Sequence, residues 1–156
     1  IIPMFLFMFF LGGSFQEEFG WRGYALPRLL KIQTPFMASI VLGLIWGVWH
    51  LPMFYVAGIS QAYMSFTVFL PLTVAFSFLF TWVFIHTKGN VFTALLLHTT
   101  LNASWAVFPP VELTVGGNQW AFTYAMALYW LLALVVIIRE RSMWFGQEQK
   151  HKGLSI

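Results

Sequence analysis

Cysteine and aspartate are both missing from the 156-residue sequence, and only 8% of it is charged. Without cysteine there is no disulfide framework, no thiolate nucleophile and no Cys-ligated zinc or iron–sulfur site. Without aspartate there is no paired-aspartate protease, soluble or intramembrane, and no Ser-His-Asp triad. The shortage of charge excludes an ordinary soluble domain, in which about a quarter of the residues are charged. What the chain does have is 60% hydrophobic residues, with 18 Phe and 8 Trp. Eight Lys or Arg and five Glu could not give such a globule a water-facing shell, so lipid must be its main solvent.

The formal net charge of +3 and pI near 9.5 do not point to nucleic acid, because the basic residues form no clustered patch with interleaved aromatics. In a membrane protein Lys and Arg report topology instead. Residues 32 to 87 carry no Asp, Glu, Lys or Arg, and neither do residues 113 to 138. At about 1.5 Å per residue, the first of these runs would cross a roughly 30 Å hydrocarbon core nearly three times. The turn residues Ala57 to Gln61 therefore divide it, giving expected spans near 35 to 57 and 62 to 85. Thr87-Lys88-Gly89-Asn90 is a second turn. A further span covers 91 to 108, Pro109-Pro110 stops it, and the last covers 119 to 138. Residues 1 to 15 are apolar but short of the roughly 20 that a span needs, and are read as a helix whose N-terminal part is missing.

The expected fold is therefore all-α: a polytopic transmembrane helical bundle of about five segments, truncated at its N-terminus. A single domain would occupy residues 1–138 and a polar cytoplasmic tail residues 139–156. The loops support this parse by alternating in charge. Arg22, Arg28 and Lys31 fall in the first connection, Lys88 in the third, and Arg139, Arg141, Lys150 and Lys152 in the tail, while the second and fourth carry no Lys or Arg. The basic side is assigned to the cytoplasm, which makes the chain a multi-pass protein of the plasma or inner membrane. The lipid bilayer is then its first partner.

Ionisable groups within apolar spans are costly and by default functional. Three places stand out. Glu17 and Glu18 end the first apolar stretch, with Glu18 and Arg22 on one helix face at i, i+4 in the favoured order. His50 lies near the end of a Trp-rich helix that Pro52 must break, with Trp46 one turn before it. Gly43 and Gly47 on that helix form a small-xxx-small pair that allows close approach of a neighbour. His98 and Asn102, again at i, i+4, share a face within the span 91 to 108. Singly, each has an ordinary explanation as an interfacial charge cluster, a satisfied buried His or polar glue between helices. Jointly they provide a carboxylate base, two imidazoles and an amide donor, a set suited to hydrolysis by an activated water with a stabilised oxyanion.

The ordered trio Glu17-Glu18-x-x-x-Arg22, Trp46-x-x-x-His50 and His98-x-x-x-Asn102 resembles the CPBP family, the CAAX prenyl protease and bacteriocin-processing intramembrane proteases, also called the Abi family. Arg22-Gly23-Tyr24-x-Leu26-Pro27 and His50-Leu51-Pro52 extend the likeness. It implies an intramembrane endopeptidase acting on membrane-associated peptide or protein substrates. Glu17 would activate water, Glu18 would support it and be oriented by Arg22, His50 and His98 would be catalytic or metal-binding, and Asn102 would hold the oxyanion. If a divalent metal such as Zn2+ is used, Glu17, His50 and His98 could fill three positions of an open tetrahedral site. The family usually has Phe where Trp46 stands. A bacteriocin-immunity or membrane scaffold protein of the same family, keeping these residues as a structural network, is the alternative reading.

Other classes fit less well. No His-Glu-x-x-His helix is present for a site-2 type metalloprotease. Gly12-Gly13-Ser14-Phe15 matches a serine nucleophile turn only loosely, and a proton-relay transporter would show inverted repeats. One geometric tension remains. On straight helices His50 would lie about 22 Å and His98 about 12 Å from the basic surface, at 1.5 Å per residue. The expectation is therefore tilt together with a partly embedded connection at 23 to 33.

Overall fold

The computed structural model describes residues 2–114 and 117–146, and among these it contains helices and loops but no strand. A short helix α1 (Ile2–Phe10) is followed by α2 (Ser14–Gly20), which runs through a π-helical turn at Trp21–Ala25 into α3 (Leu26–Ile32). Then come α4 (Pro35–Trp49), α5 (Phe66–His86), α6 (Val91–Val107), α7 (Trp120–Arg139) and a short α8 (Arg141–Phe145). Three stretches are long and apolar enough to cross a membrane, Pro35–Tyr55, Phe66–His86 and Trp120–Arg139, and Val91–Val107 is a shorter apolar helix. The all-α membrane bundle expected from the charge-free runs is the observed architecture.

The first apolar stretch ends earlier than expected. Helix α1 stops at Phe10, and Gly13 turns the chain at φ 91°, a left-handed conformation that glycine adopts at little cost. The Glu pair consequently opens a new helix instead of closing the old one. The connection at 23 to 33 is also helical. Pro27 cannot donate to the carbonyl four residues back and its ring crowds that carbonyl. The π-helical turn directly before it lets the helix pass this point without ending.

Helices α4 and α5 are antiparallel and closely packed. A Cβ on Gly43 would lie 2.6 Å from Val74 Cα, and one on Gly47 would lie 2.6 Å from Thr73 Oγ1, so both glycines are required for the approach anticipated from their spacing. Thr73 Oγ1 donates across the interface to Gly43 O at 3.2 Å. A core of Trp46, Phe69, Leu72, Phe76, Phe80 and Phe122 joins α4, α5 and α7 around the site.

The two ends of the bundle are fastened separately. At one, Glu140 accepts from Trp82 Nε1 at 2.8 Å and pairs with His86 Nε2 at 3.0 Å, linking α5 to the end of α7. At the other, Ser65 N donates to Gln119 Oε1 at 2.8 Å, linking the start of α5 to the start of α7. Packing also continues beyond residue 138: Trp144 on α8 is fully buried against Phe78 and Ile137 and donates from Nε1 to Val136 O at 3.1 Å. The rest of the expected tail, including Lys150 and Lys152, lies outside the described residues.

Candidate active site

Helix α2 brings Glu17 and Glu18 into the bundle with their side chains about 100° apart. Glu18 is fully buried, and its Oε1 accepts from Arg22 Nη1 and from His98 Nδ1, both at 2.8 Å. Arg22, also fully buried, lies with its guanidinium carbon 4.1 Å from the Phe80 ring centre and 4.8 Å from that of Trp46. Cation–π attraction strengthens when the cation is desolvated, so the two rings replace part of the hydration that Arg22 has lost. The pair is nevertheless incompletely satisfied: Glu18 Oε2, Arg22 Nε and Arg22 Nη2 have no hydrogen-bond partner among the described residues. A buried ion pair with free valences is a poor stabilising device, which favours a functional reason for its presence.

Glu17 is only half-buried, and its Oε2 accepts from Trp46 Nε1 at 2.7 Å. A Cβ on Gly13 would lie 2.9 Å from Glu17 Oε1. The glycine at this turn therefore serves both the backbone angle and the space that the carboxylate occupies.

The two histidines meet through Trp46. His50 caps α4, its Nδ1 lies 2.9 Å from Trp46 O, and its ring centre lies 6.0 Å from that of Trp46. The His98 ring is 5.5 Å from Trp46 on another side. The expected mismatch in depth is bridged by this indole and not by direct ring contact. Each Nδ1 faces an atom that can only accept, a carbonyl for His50 and a carboxylate for His98. The proton of each neutral ring is thereby assigned to Nδ1 and the lone pair to Nε2.

Asn102 donates from Nδ2 to Gly12 O at 3.3 Å and to Ser14 Oγ at 3.2 Å. Both distances are long for such bonds, leaving this donor easy to redirect. A cavity of about 410 Å³ is lined by Trp46, His50, His98 and Asn102 together with Phe76, Trp105 and others. Neither Glu17 nor Glu18 lines it. Each is bonded to a residue that does, Glu18 to His98 and Glu17 to Trp46.

Residues from all three motifs thus converge from α2, α4 and α6. Among the described residues no three His, Asp or Glu form a group arranged to hold a metal ion. Glu17 is turned toward the indole, and the carboxylate beside His98 belongs to Glu18. Two contributors escaped the sequence reading. Trp46 figured there only as a neighbour of His50 standing where the family usually has Phe, whereas its N–H holds Glu17. Ser14 was weighed only as a loose nucleophile match, yet it is fully buried and holds Asn102. Its place directly after Gly12-Gly13 was the available signal, since a residue that opens a helix behind a tight turn is fixed in position.

The helical bundle thus gathers carboxylates, imidazoles and an amide from three helices around one cavity. A family model described as type II CAAX prenyl endopeptidase Rce1-like matches residues 1–104, a range that takes in all three motifs. The chain belongs to this family. It is also 25% identical over 147 residues to CAAX prenyl protease 2 of Methanococcus maripaludis, an alignment that covers 90% of this chain and 51% of that protein. The chain thus spans about half the length of this curated relative.

Proposed function

We propose that the chain carries the catalytic centre of an intramembrane endopeptidase, which hydrolyses peptide bonds in membrane-associated protein or peptide substrates. The observation that carries this reading is the buried Glu18–His98 hydrogen bond beside a Glu17 held by Trp46. This arrangement provides one oriented imidazole, His98, that lines the cavity, and one oriented base, Glu17, bonded to the lining residue Trp46.

In the proposed reaction Glu17 takes a proton from water, and the resulting hydroxide adds to the scissile carbonyl carbon. Negative charge passes to the carbonyl oxygen, which accepts from Asn102 Nδ2 once that amide turns from Gly12 or Ser14. His50 and His98, protonated on Nδ1, present Nε2 as an acceptor to the attacking water or to a substrate N–H. The C–N bond then breaks as Glu17 returns its proton to the leaving nitrogen, giving an acid and an amine. Glu18 and Arg22 touch no reacting atom in this scheme and act through His98. As arranged, the residues do not fit a metal site, so no step passes through one. The basic end of the bundle is assigned to the cytoplasm by the positive-inside rule, in a plasma or inner membrane.

The test is cleavage of a quenched fluorescent membrane-peptide library by the purified full-length protein in detergent. Wild type should cleave with or without a chelator, and folded Glu17→Ala should not. Loss on chelation with recovery on adding zinc would replace this mechanism with a metal-assisted one. A folded wild type that cleaves nothing would favour the immunity or scaffold reading.

A further inference from the structure

Helix α3 carries Arg28 and Lys31 on one face at i, i+3, and the turn between α5 and α6 carries Lys88, all three exposed. The two segments pack together: Leu26, Leu29 and Leu30 of α3 share one apolar cluster with Phe84 near the end of α5 and Val91 at the start of α6. Arg139 and Arg141 flank a different cluster, that of Phe78, Ile137 and Trp144. Among the described residues no carboxylate pairs with Arg28, Lys31 or Lys88. The four described glutamates are engaged elsewhere: Glu17 by Trp46, Glu18 by Arg22 and His98, Glu112 by the backbone N–H of Asn118, and Glu140 by Trp82 and His86. Arg28 is nonetheless held in place, with its guanidinium carbon 3.5 Å from the centre of the Tyr24 ring and Nη1 donating to Tyr24 O at 3.1 Å. Lys88 is held by its backbone. Its φ of 55° makes it the one described non-glycine residue at positive φ, a conformation disfavoured for a residue with a side chain. Retaining a loop on one side of a membrane requires only that positive charge be present, and neither arrangement follows from that. Exposed Ile32 and Phe92 stand close to these cations in the chain, so charge and lipid-facing apolar surface adjoin.

We propose that Arg28, Lys31 and Lys88 form a binding site for the phosphate of an anionic phospholipid, whose acyl chains lie along the surface that includes Ile32 and Phe92. Guanidinium and ammonium groups match phosphate oxygens in charge and in hydrogen bonding, and the cytoplasmic leaflet, where basic loops are retained, is the one that carries anionic lipid. None of the three cations lines the cavity, and the proposal does not depend on the proteolytic reading. Its consequence for the fold is mechanical. Because α3 continues α2 through the π-helical turn, a lipid held between α3 and the α5–α6 turn fastens the helix that bears Glu17 and Glu18.

The test is thermal unfolding of the purified full-length protein in non-ionic detergent with added lipid. Phosphatidylglycerol should raise the melting temperature in a saturable way, and phosphatidylcholine at the same concentration should not. Each of Arg28→Gln, Lys31→Gln and Lys88→Asn should raise the half-saturating concentration of phosphatidylglycerol roughly fivefold, the usual effect of one basic residue near an anionic surface. Asparagine is the choice at position 88 because it tolerates the left-handed backbone. The double variant Arg139→Gln/Arg141→Gln removes two charges from the same end of the bundle and should bind phosphatidylglycerol as wild type does. Equal weakening in that double variant would mean a diffuse effect of charge and would overturn the site. Equal stabilisation by phosphatidylcholine would overturn it too, as would protection by inorganic phosphate or by a soluble acidic peptide that matches the lipid. Native mass spectrometry counts the lipid retained by each variant, so the site is still read where a substitution alters lipid-free stability.

Discussion

The indole N–H of Trp46 donates to Glu17 Oε2 at 2.7 Å, and the backbone carbonyl of the same residue accepts a hydrogen bond from His50 Nδ1 at 2.9 Å. One residue on α4 thereby orients a carboxylate from α2 and the imidazole at its own helix end. Phenylalanine, the usual occupant in the resembling family, could preserve the aromatic contacts and the carbonyl but not the N–H.

Trp46→Phe isolates that hydrogen bond. A bond to a charged group contributes about 1.5–3 kcal/mol, and each 1.36 kcal/mol on a barrier is about tenfold in rate. The expected result is a kcat lower by roughly one to two orders of magnitude with KM and melting temperature little changed. Steady-state cleavage of a fluorogenic peptide measures both constants. An unchanged kcat would mean that the indole only fills space, and a rise confined to KM would move Trp46 from orienting Glu17 to binding substrate.

The glycines offer a paired comparison. Gly13→Ala would put a Cβ 2.9 Å from Glu17 Oε1 at a backbone φ of +91°, and a non-glycine residue held in such a conformation costs about 1–3 kcal/mol. It should lose activity beyond what its fall in melting temperature explains, since the carboxylate itself must move. Gly20→Ala on the same helix meets nothing within 4 Å and should stabilise by about 0.5–1 kcal/mol, the usual helical preference for alanine. Thermal unfolding and peptide cleavage of both variants separate the two effects.

Much of the fold was legible because lipid makes simple demands. Charge-free runs interrupted by Gly, Pro and Lys mark where helices cross and turn, and the glycines at 43 and 47 announced a close neighbour. The Glu18–Arg22 pair could be read from spacing alone, because both partners share one helix. Its third member, His98, comes from 80 positions away, and no local pattern encodes that encounter. The break after Phe10 was hidden for another reason: hydrophobicity is blind to the positive φ that Gly13 supplies. Trp144 was obscured by its polar surroundings, although its burial and the bond from its indole to Val136 extend the packed bundle past the last charge-free run.

Glu18 and Arg22 should behave as a unit. Removing one partner of a buried ion pair leaves an uncompensated charge, which costs about 3–5 kcal/mol. Glu18→Gln and Arg22→Met should therefore each lower the melting temperature sharply. The double variant should recover most of that loss, because replacing both charges with neutral groups of similar size is often nearly neutral. Activity should not recover with it, since His98 would have lost the carboxylate that fixes its ring. Recovery of both stability and cleavage in the double variant would reduce the Glu18–His98 contact to packing.

Ser14 separates two mechanisms that share the same sequence neighbourhood. Its hydroxyl is fully buried and accepts from Asn102 at 3.2 Å, so its place in the site is to steady an amide and not to attack a carbonyl. In Ser14→Ala, Asn102 would keep only its bond to Gly12 O, and loss of one neutral hydrogen bond is worth about 0.5–1.5 kcal/mol. The cleavage rate should fall by no more than about tenfold, while Glu17→Ala in the same assay should fall to background. A serine nucleophile would reverse this order, with Ser14→Ala inactive and an active-site serine reagent such as a fluorophosphonate labelling the wild-type protein. Labelling lost in Ser14→Ala would overturn the glutamate mechanism. Absence of labelling, with activity retained in Ser14→Ala, would leave the reaction to the residues around Trp46.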